Sequence, residues 1–325
     1  MPSSPDAPVL AAGVDELAAE VVAGLTRPAK RLPSKYLYDA LGSQLFEAIC
    51  ELPWYRITRG ERALLERERA TIAGLLGDEA SIIELGGGSG EKLAILIDAL
   101  VERGARVETH LVDISPTALD LSSRTLGAYP RVSVRCHAAA YLEGLREAVR
   151  EVDGDRPCLA LFLGSNIGNL GPAESDRFLR DIRARLRPGD LLLLGADLVK
   201  SEADLILAYD DPLGVTAAFN ANLLVRLNRE LDADFDLSQF DYHAVWNARA
   251  SRVETYLVSR TEQTVCLPRA GCCVRLAAGE AIWTESSHKY ERAQIAALGE
   301  RAGFACREQW VEPESQFALT LFDVS

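Results

Sequence analysis

The chain has 325 residues, of which 48% are hydrophobic and 26% charged, a balance that excludes disordered and low-complexity classes. The formal net charge of −13 repels phosphate backbones and anionic lipids, so we expect neither nucleic acid nor membrane as a partner. No apolar run approaches the roughly 18 residues that a membrane helix needs. The N-terminal segment lacks the basic and apolar regions of a secretory signal, so we expect a cytoplasmic protein.

After a helical segment from Val14 to Leu25, strands and helices alternate between Ser81 and Val199. The predicted strands are SIIEL, VETHLVDI, CLALFLG and LLLLGADLV. The predicted helices are EKLAILIDALVERG, SPTALDLSSRTLGAY, with Ser115 as its N-cap, and SDRFLRDIRARL. Strands that alternate with helices through short loops predict a parallel sheet covered on both faces.

Residues 201–280 interrupt this alternation. They contain a helical segment, TAAFNANLLVRLNREL, and strand-like segments, RVETYLV and TVCLP, before a helix and the strand QFALTLFDV resume the earlier pattern. We therefore predict a doubly wound α/β domain of residues 60–200 plus 286–325. A second domain is predicted from residues 10–59 plus 201–285.

The cysteines and histidines give no metal signal. Seven cysteines in a long chain make a disulfide framework improbable, and they are interpreted as buried or inert thiols. The four histidines, His110, His137, His243 and His288, are scattered without ligand spacing, so no metal site is predicted.

A glycine loop follows the first predicted strand and opens a helix. Its sequence is Gly86-Gly87-Gly88-Ser89-Gly90, preceded by Glu84, and the third glycine of a dinucleotide fingerprint is missing. Bare backbone N–H groups and the positive helix terminus can meet a ligand there. An acid before the glycines suits a ligand with a sugar and a cationic amino-acid tail, and S-adenosylmethionine is such a ligand.

Asp113 closes the next strand, where a carboxylate can accept hydrogen bonds from ribose hydroxyls. The alternative is an aspartate that only begins the Ser115-Pro116 turn. The order of strand, glycine loop, helix, strand and acid favours the ligand role, and a NAD-type oxidoreductase remains a minority alternative.

Seven stretches carry a family signal, in this order: LPSKYLYDALGSQLFEAICELPWYRITRGE, IELGGGSGEK, LFLGSNIGNL, GADLVKS, LAYDDPLGVTAAFNANLL, NRELDADFD and WTESSHKY. Together they resemble the L-histidine Nα-methyltransferases that make trimethylhistidine (hercynine) for ergothioneine biosynthesis. The resemblance runs from Arg31 to the C-terminus, and FLGSNIGNL and AYDDPLGVT are specific to that family. It implies a Rossmann-like, S-adenosylmethionine-dependent methyltransferase domain with a second, substrate-capping domain.

The resemblance also implies a set of cofactor contacts: Tyr55, Gly86, Lys92, Asp113, Ala140 and Tyr141. Lys92 would meet the methionine carboxylate, against the alternative of a solvated helix lysine. Ala140 stands where an acidic or hydroxyl residue is frequent, so only its backbone can form a polar contact with the cofactor. Tyr141 would lie against the adenine.

The substrate contacts that the resemblance implies are Tyr55, Asn169, Tyr209, Glu285, Ser286 and Ser287. Asn169 and Tyr209 are the catalytic candidates, since they would hold the α-amino group. A carboxylate and hydroxyls at 285–287 match an imidazole, which has one donor and one acceptor nitrogen. The ordinary alternatives are a turn residue for Asn169, a half-buried tyrosine for Tyr209 and a surface residue for Glu285.

Other residues bear on which amino acid is bound. Tyr38 and Phe46 would line the pocket or only pack the core. The chain departs from the family pattern at Asn166, Thr255, Ser286 and Arg56, so a changed side-chain preference is an open alternative. The candidate functions are thus histidine Nα-trimethylation, N-methylation of another amino acid or an indole derivative, and a non-catalytic binding protein. The expected partner is a small amino-acid substrate; the oligomeric state stays open, with a monomer among the options.

Overall fold

The computed structural model describes residues 7–152 and 156–324, with side chains from residue 15 onward. The chain divides into two compact units. Unit 1 comprises the residues up to Trp54 together with Glu202–Ala248 and Val253–Ser286, and unit 2 comprises Tyr55–Ser201, Arg249–Arg252 and Ser287–Ser325. The assignment of cofactor binding and substrate binding to separate domains stays a prediction.

The described residues form the following elements. The helices are α1 Ala7–Leu25, α2 Ala40–Glu51, α3 Arg56–Gly74, α4 Glu91–Glu102, α5 Pro116–Gly127, α6 Tyr141–Glu151, α7 Pro172–Arg183, α8 Glu202–Tyr209, α9 Val215–Leu231 and α10 Arg292–Arg301. The strands are β1 Lys30–Arg31, β2 Glu79–Leu85, β3 Arg106–Asp113, β4 Val132–Ala138, β5 Cys158–Phe162, β6 Leu191–Asp197, β7 Phe240–Asn247, β8 Arg252–Ser259, β9 Gln263–Leu267, β10 Cys272–Leu276, β11 Ala281–His288, β12 Ala305–Glu312 and β13 Phe317–Asp323.

Unit 2 is built on one sheet with strand order β12-β13-β6-β5-β2-β3-β4. The five strands from β6 to β4 are parallel, which confirms the predicted parallel sheet for that part. The C-terminal strands extend this sheet at one edge with the other direction: β13 runs antiparallel to β6, and β12 pairs antiparallel with β13. A short connection between β12 and β13 allows only an antiparallel pair.

The helices of unit 2 follow from local chemistry. Ser115 accepts the Ala118 N–H at 3.3 Å and caps α5, with Pro116 at the first helical position, as predicted. α3, which the sequence reading missed, buries one face through Ile57, Leu64 and Ile72. The central strands β5 and β6 are buried along their whole length, so the core lies on both faces of the sheet.

Unit 1 contains a second sheet, ordered β1-β11-β8-β7, and a separate hairpin of β9 and β10. The long helix α9 buries Phe219 and Leu223, among others. Tyr38 and Phe46 pack edge to face at 5.5 Å between ring centroids, and Tyr38 lies 5.4 Å from Phe219. These contacts give both rings a packing role within unit 1.

The interpretation of all seven cysteines as buried or inert thiols is wrong. Cys266 and Cys273 lie opposite each other on β9 and β10 and form a disulfide, with 4.0 Å between their Cα atoms. Cys158 is a buried thiol, whereas Cys136 is exposed. In the part of the chain that the structure describes, no helix combines the length and apolar character needed to span a membrane.

Candidate active site

The glycine loop begins where β2 ends, at the carboxyl edge of the unit 2 sheet. Gly86, Gly88 and Gly90 have φ values of 77°, 58° and 77°, a left-handed conformation that favours glycine. A Cβ on Gly86 would lie 2.9 Å from the Tyr141 hydroxyl, and one on Gly87 only 2.2 Å from Glu84 Oε2. The loop therefore needs glycine both for its turns and for its close approaches, and α4 opens directly after it.

Glu84 lies beneath this loop with an exposed fraction of 1%. Among the described residues, neither carboxylate oxygen has a hydrogen-bond partner. Burial raises the pKa of Glu84 to about 7, while the Lys92 charge opposes this rise and the Glu61 and Asp113 charges add to it. A buried carboxyl group without partners is costly, so it is suited to receive a cationic ligand group.

Asp113 serves the local turn and also reaches the glycine loop. Its Oδ1 accepts the Ser115 N–H at 2.8 Å, so the turn role that the sequence left as an alternative is present. Burial raises the pKa of Asp113, and hydrogen bonds from the backbone N–H groups of Ser115, Ile114 and Gly88 oppose that rise. The contact with Gly88 ties the acid at the end of β3 to the glycine loop after β2.

Lys92 is not the solvated helix lysine of the alternative interpretation. Its Nζ lies 2.7 Å from Oε2 of Glu61, a carboxylate with no exposed surface. Both oxygens of Glu61 also accept the Gly164 N–H at 2.8 Å. Lys92 is thus held at the base of the loop, and its contact with the methionine carboxylate stays a prediction.

Ala140 and Tyr141 stand after β4, the strand next to β3. Ala140 is the exposed, extended residue that precedes α6, so it presents backbone rather than side-chain polar groups. The Tyr141 ring packs edge to face on Phe162 at 5.4 Å, and burial raises the pKa of its hydroxyl. Its ring also borders Gly86, which places it beside the glycine loop.

A 3₁₀ turn of residues Asn166–Asn169 follows β5 at the same edge of the sheet. Ser165 before it has a φ of 57°, and the Asn166 amide nitrogen lies 3.2 Å from the position of a Cβ on Gly86. The Asn169 side chain is half-buried and forms no hydrogen bond with the residues the structure describes. The turn therefore starts beside the glycine loop and ends in an amide available to a ligand.

The end of β11 in unit 2 approaches this turn. A Cβ on Gly168 would lie 2.8 Å from the His288 carbonyl oxygen and 3.4 Å from Ser287 Oγ. Ser287 also accepts a hydrogen bond from Lys289 Nζ at 2.9 Å. The motifs FLGSNIGNL and WTESSHKY thus approach each other closely where Gly168 faces Ser287 and His288.

Tyr55 and Tyr209 are both buried, each with an exposed fraction of 7%. Tyr55 precedes α3 in unit 2, and Tyr209 ends α8 in unit 1. The Tyr209 carbonyl oxygen accepts the Tyr242 hydroxyl at 2.6 Å. Burial raises the pKa of Tyr242, and the charge of Glu285 adds to this effect. The substrate roles of Tyr55, Tyr209 and Glu285 stay predictions.

The three predicted substrate contacts on β11, at 285–287, do not all lie on the same face of the strand. Successive residues of a strand point to opposite faces, so Glu285 and Ser287 share one face and Ser286 lies on the other. The Ser286 hydroxyl is buried and, within residues 7–152 and 156–324, has no partner. If Glu285 and Ser287 face the substrate, the Ser286 side chain faces away from it.

Thr255, one of the departures from the family pattern, belongs to a buried polar cluster in unit 1. Its hydroxyl lies 2.9 Å from Thr284 Oγ1 and 3.2 Å from Asn220 Oδ1. The Thr284 hydroxyl donates to the same Asn220 oxygen at 2.6 Å. These side chains therefore satisfy one another inside the unit.

Two histidines are not scattered, contrary to the sequence interpretation. His110 on β3 and His137 on β4 place Nδ1 and Nε2 3.0 Å apart, and Glu151 brings an oxygen into a group spanning 4.8 Å. Burial and the neighbouring His137 lower the pKa of His110 to about 4. The centroid distance of 5.3 Å and interplanar angle of 17° place the two nitrogens head-on. That arrangement is a ring-to-ring hydrogen bond rather than two lone pairs aimed at one ion.

Sequence reasoning missed Glu61 and Lys289, although both carried a signal. Glu61 occupies the apolar face of α3 between Ile57 and Leu64, where a charge needs a buried partner. Lys289 continues the alternation of Glu285 and Ser287 within the family stretch WTESSHKY.

An α/β sheet with this glycine loop, an unpartnered acid beneath it and an acid on the next strand defines an S-adenosylmethionine-dependent methyltransferase of Rossmann-like fold. Comparison with known proteins gives the particular family: residues 17–324 match the histidine-specific, S-adenosylmethionine-dependent methyltransferases. The histidine N-alpha-methyltransferase of Mycolicibacterium smegmatis is 40% identical over 310 residues, which cover 94% of each chain. That of Mycobacterium tuberculosis is 38% identical over 95% of each chain.

The chain therefore belongs to the histidine-specific, S-adenosylmethionine-dependent methyltransferase family. A more distant relative, the L-tryptophan methyltransferase of Psilocybe serbica, is 29% identical over 93% of this chain and 91% of its own. Family membership excludes the NAD-type oxidoreductase alternative. The residues present also fit the cofactor, because Glu84 is an unpaired buried acid and the loop has no side chains to block approach.

Proposed function

We propose that the protein methylates the α-amino nitrogen of L-histidine, with up to three transfers giving the Nα-trimethyl product. The family and the names of the two mycobacterial relatives support histidine as substrate. The observation that carries the proposal is the close approach of Gly168 to His288 and Ser287, which leaves no room for a Cβ and brings the Asn169 turn beside the glycine loop to a polar strand end. One edge of the sheet thus carries both a residue that can bind the substrate amine and a residue that can bind the substrate side chain.

The cofactor contacts in this proposal come from the glycine-loop edge of unit 2. Glu84 pairs with the ammonium group of the cofactor and Asp113 with its ribose hydroxyls. Lys92 meets the methionine carboxylate, Tyr141 lies against the adenine, and the Ala140 backbone supplies a polar contact. Gly86 lets the cofactor approach the backbone closely, and Tyr55 is the remaining cofactor contact.

Methyl transfer to an amine is an in-line displacement, so the protein contributes orientation more than covalent chemistry. S-adenosylmethionine, when bound, supplies an electrophilic methyl group on a sulfonium. Asn169 and Tyr209 hold the substrate nitrogen so that its lone pair forms the new N–C bond while the C–S bond breaks. The amine must be unprotonated, and the proton of each methylated product passes to solvent before the next transfer.

Glu285 and Ser287 recognise the imidazole. The Glu285 carboxylate can only accept, so it faces the ring N–H, and the Ser287 hydroxyl donates to the other ring nitrogen. A site whose polar groups need partners rejects a side chain without them.

The experiment is a methylation screen of the purified protein with the common amino acids, read by mass spectrometry. We expect mono-, di- and trimethylated histidine and little product from phenylalanine or leucine. The Asn169→Ala variant is the control for turnover at this site. Methylation of other amino acids without histidine would contradict the substrate and leave the reaction class standing.

A second candidate is N-methylation of a different amino acid, with tryptophan the first to test. The L-tryptophan methyltransferase relative supports it, together with the departures at Asn166 and Thr255. Against it, the Thr255 hydroxyl is engaged with Thr284 and Asn220. A kcat/KM for tryptophan above that for histidine would favour this candidate.

A further inference from the structure

Lys289 is a buried cation at the edge of the sheet, and no role has so far been assigned to it. It has an exposed fraction of 2%. Its Nζ lies 2.8 Å from Oδ2 of Asp197 and donates to Ser287 Oγ at 2.9 Å. A buried ammonium group requires such compensation, because its transfer from water is costly.

The partner carboxylate is itself fixed. Asp197 ends β6 with an exposed fraction of 1%, and its Oδ1 pairs with Lys200 at 2.6 Å. Its backbone N–H donates to Ser165 Oγ at 3.0 Å. The Lys289 backbone is held as well, since its N–H donates to the Ser251 carbonyl at 2.7 Å. The ammonium group therefore has a defined position relative to Ser287.

This position limits which hydrogen bonds the Ser287 hydroxyl can still form. A lysine ammonium group has three donors and no acceptor, so the hydrogen bond with Ser287 can only run from Lys289 to the serine oxygen. This contact occupies one of the two lone pairs of the serine oxygen and so favours the hydroxyl hydrogen for a further hydrogen bond. Without Lys289, both lone pairs and the hydrogen would be open to a substrate.

We propose that Lys289 is a positioning residue that favours Ser287 as a hydrogen-bond donor and thereby favours substrates with an acceptor atom at that point. The unprotonated nitrogen of a neutral imidazole is such an acceptor. The nearby positive charge also disfavours a cationic side chain. This inference rests on the proposed function and extends it to a residue that acts through another.

The test is a double-mutant cycle of wild type, Lys289→Met, Ser287→Ala and the double variant, measuring kcat and KM for histidine. Methionine approximates the length of lysine without its donors. In Lys289→Met the Asp197 carboxylate loses one of two cations and attracts the Ser287 hydrogen, so the serine turns from the substrate. We expect each single variant to raise KM about tenfold with little change in kcat.

The double variant distinguishes positioning from general structural damage. If Lys289 acts through Ser287, Lys289→Met adds nothing to KM in the Ser287→Ala background. Independent effects that multiply to roughly a hundredfold would overturn the proposal. Lys200→Met is the matched control because it removes the other cation from Asp197; its effect on KM should be small and should multiply with that of Ser287→Ala.

A second measurement keeps the proposal testable if Lys289→Met does not fold, as judged by its affinity for S-adenosylhomocysteine. β-(2-Thienyl)alanine has a five-membered ring without an acceptor nitrogen. If Ser287 donates to the ring, Ser287→Ala raises KM for histidine and leaves KM for thienylalanine nearly unchanged. Equal losses for both would refute the donor role. If the wild-type protein fails to methylate histidine, the proposed function itself fails. This outcome differs from independent effects of the two substitutions on KM, which would overturn only the role of Lys289.

Discussion

The glycine-loop edge of unit 2 and the buried polar cluster of unit 1 treat their polar groups in opposite ways. In unit 1, the side chains of Asn220, Thr255 and Thr284 hydrogen-bond to one another. In unit 2, Glu84 is equally buried and has no partner within the described residues. Buried polar groups in folded proteins are nearly always paired, so an unpaired carboxylate directly beneath a glycine loop is a candidate ligand site.

Two buried glutamates of unit 2 show the same contrast between paired and unpaired groups. Glu61 has no exposed surface, yet it accepts from Lys92 and from the Gly164 N–H. Glu84 lies on β2, the element after α3, and receives neither hydrogen bond. Burial alone therefore does not mark Glu84 as a binding residue; its missing partner together with its position against the glycine loop does.

Replacing Asn169 with Ala should produce the largest effect on activity. Its amide has no hydrogen bond with other described residues, so its loss should leave the fold intact. Misplacing the amine by about 1 Å can cost roughly a hundredfold in rate, so we expect turnover to fall by that order. Affinity for S-adenosylhomocysteine, measured by isothermal titration, should stay within about twofold because no cofactor contact is removed. Equal losses in turnover and cofactor affinity would contradict the division between substrate and cofactor residues.

Replacing Asp113 with Ala should weaken cofactor binding. A charge-assisted hydrogen bond contributes about 1.5 to 3 kcal/mol, so we expect the Kd for S-adenosylhomocysteine to rise roughly 10- to 100-fold.

The control for Asp113 is Asp113→Asn. It keeps an acceptor for the Ser115 N–H but removes the charge, so the turn before α5 should survive while the cofactor binds more weakly than to wild type. Unchanged affinity in folded Asp113→Ala would remove this residue from the site.

Replacing Thr255 with Val should act on stability alone. Valine matches the shape of threonine but leaves the Thr284 and Asn220 groups with one partner fewer. We expect the free energy of unfolding to fall by about 1 to 3 kcal/mol, measured by urea denaturation. Thr261→Val, at an exposed site in the same unit, should change it by less than about 0.5 kcal/mol. A large change in cofactor affinity in Thr255→Val would mean that the cluster is not purely structural.

The sequence predicted the features that depend on local pattern. The strand before the glycine loop, the cap at Ser115 and the buried run from Leu191 each follow from a few adjacent residues, and the structure confirms them. The strand β4 was missed because it has no continuous buried apolar run and most of its residues are exposed, as expected at a sheet edge.

Features that depend on contact between distant residues could not be predicted in this way. Glu61 and Lys92 are 31 residues apart, and His110 meets His137 only because β3 and β4 are neighbours in the sheet. The disulfide required the hairpin register that sets Cys266 opposite Cys273. The pairing partner of a buried charge is a tertiary property, so single-sequence periodicity cannot supply it.

The smallest predicted effect, a pH dependence of cofactor binding, tests the contrast between Glu84 and the paired groups most directly. Burial raises the pKa of Glu84 to about 7, so its carboxylate is only partly ionised at neutral pH. Pairing with the cofactor ammonium requires the ionised form, so binding releases a proton and affinity must rise as pH rises through 7. Between pH 6 and 8 the ionised fraction of such a group grows about tenfold, which sets the upper limit for the gain in affinity.

Glu84→Gln keeps the size of the side chain and cannot ionise, so its affinity for the cofactor product should be weaker at pH 8 and nearly constant over the same range. The measurement is the Kd for S-adenosylhomocysteine at several pH values by titration calorimetry, in two buffers of different ionisation enthalpy to count protons. A wild-type affinity that stays flat, with no proton released near pH 7, would show that the ligand ammonium does not pair with Glu84.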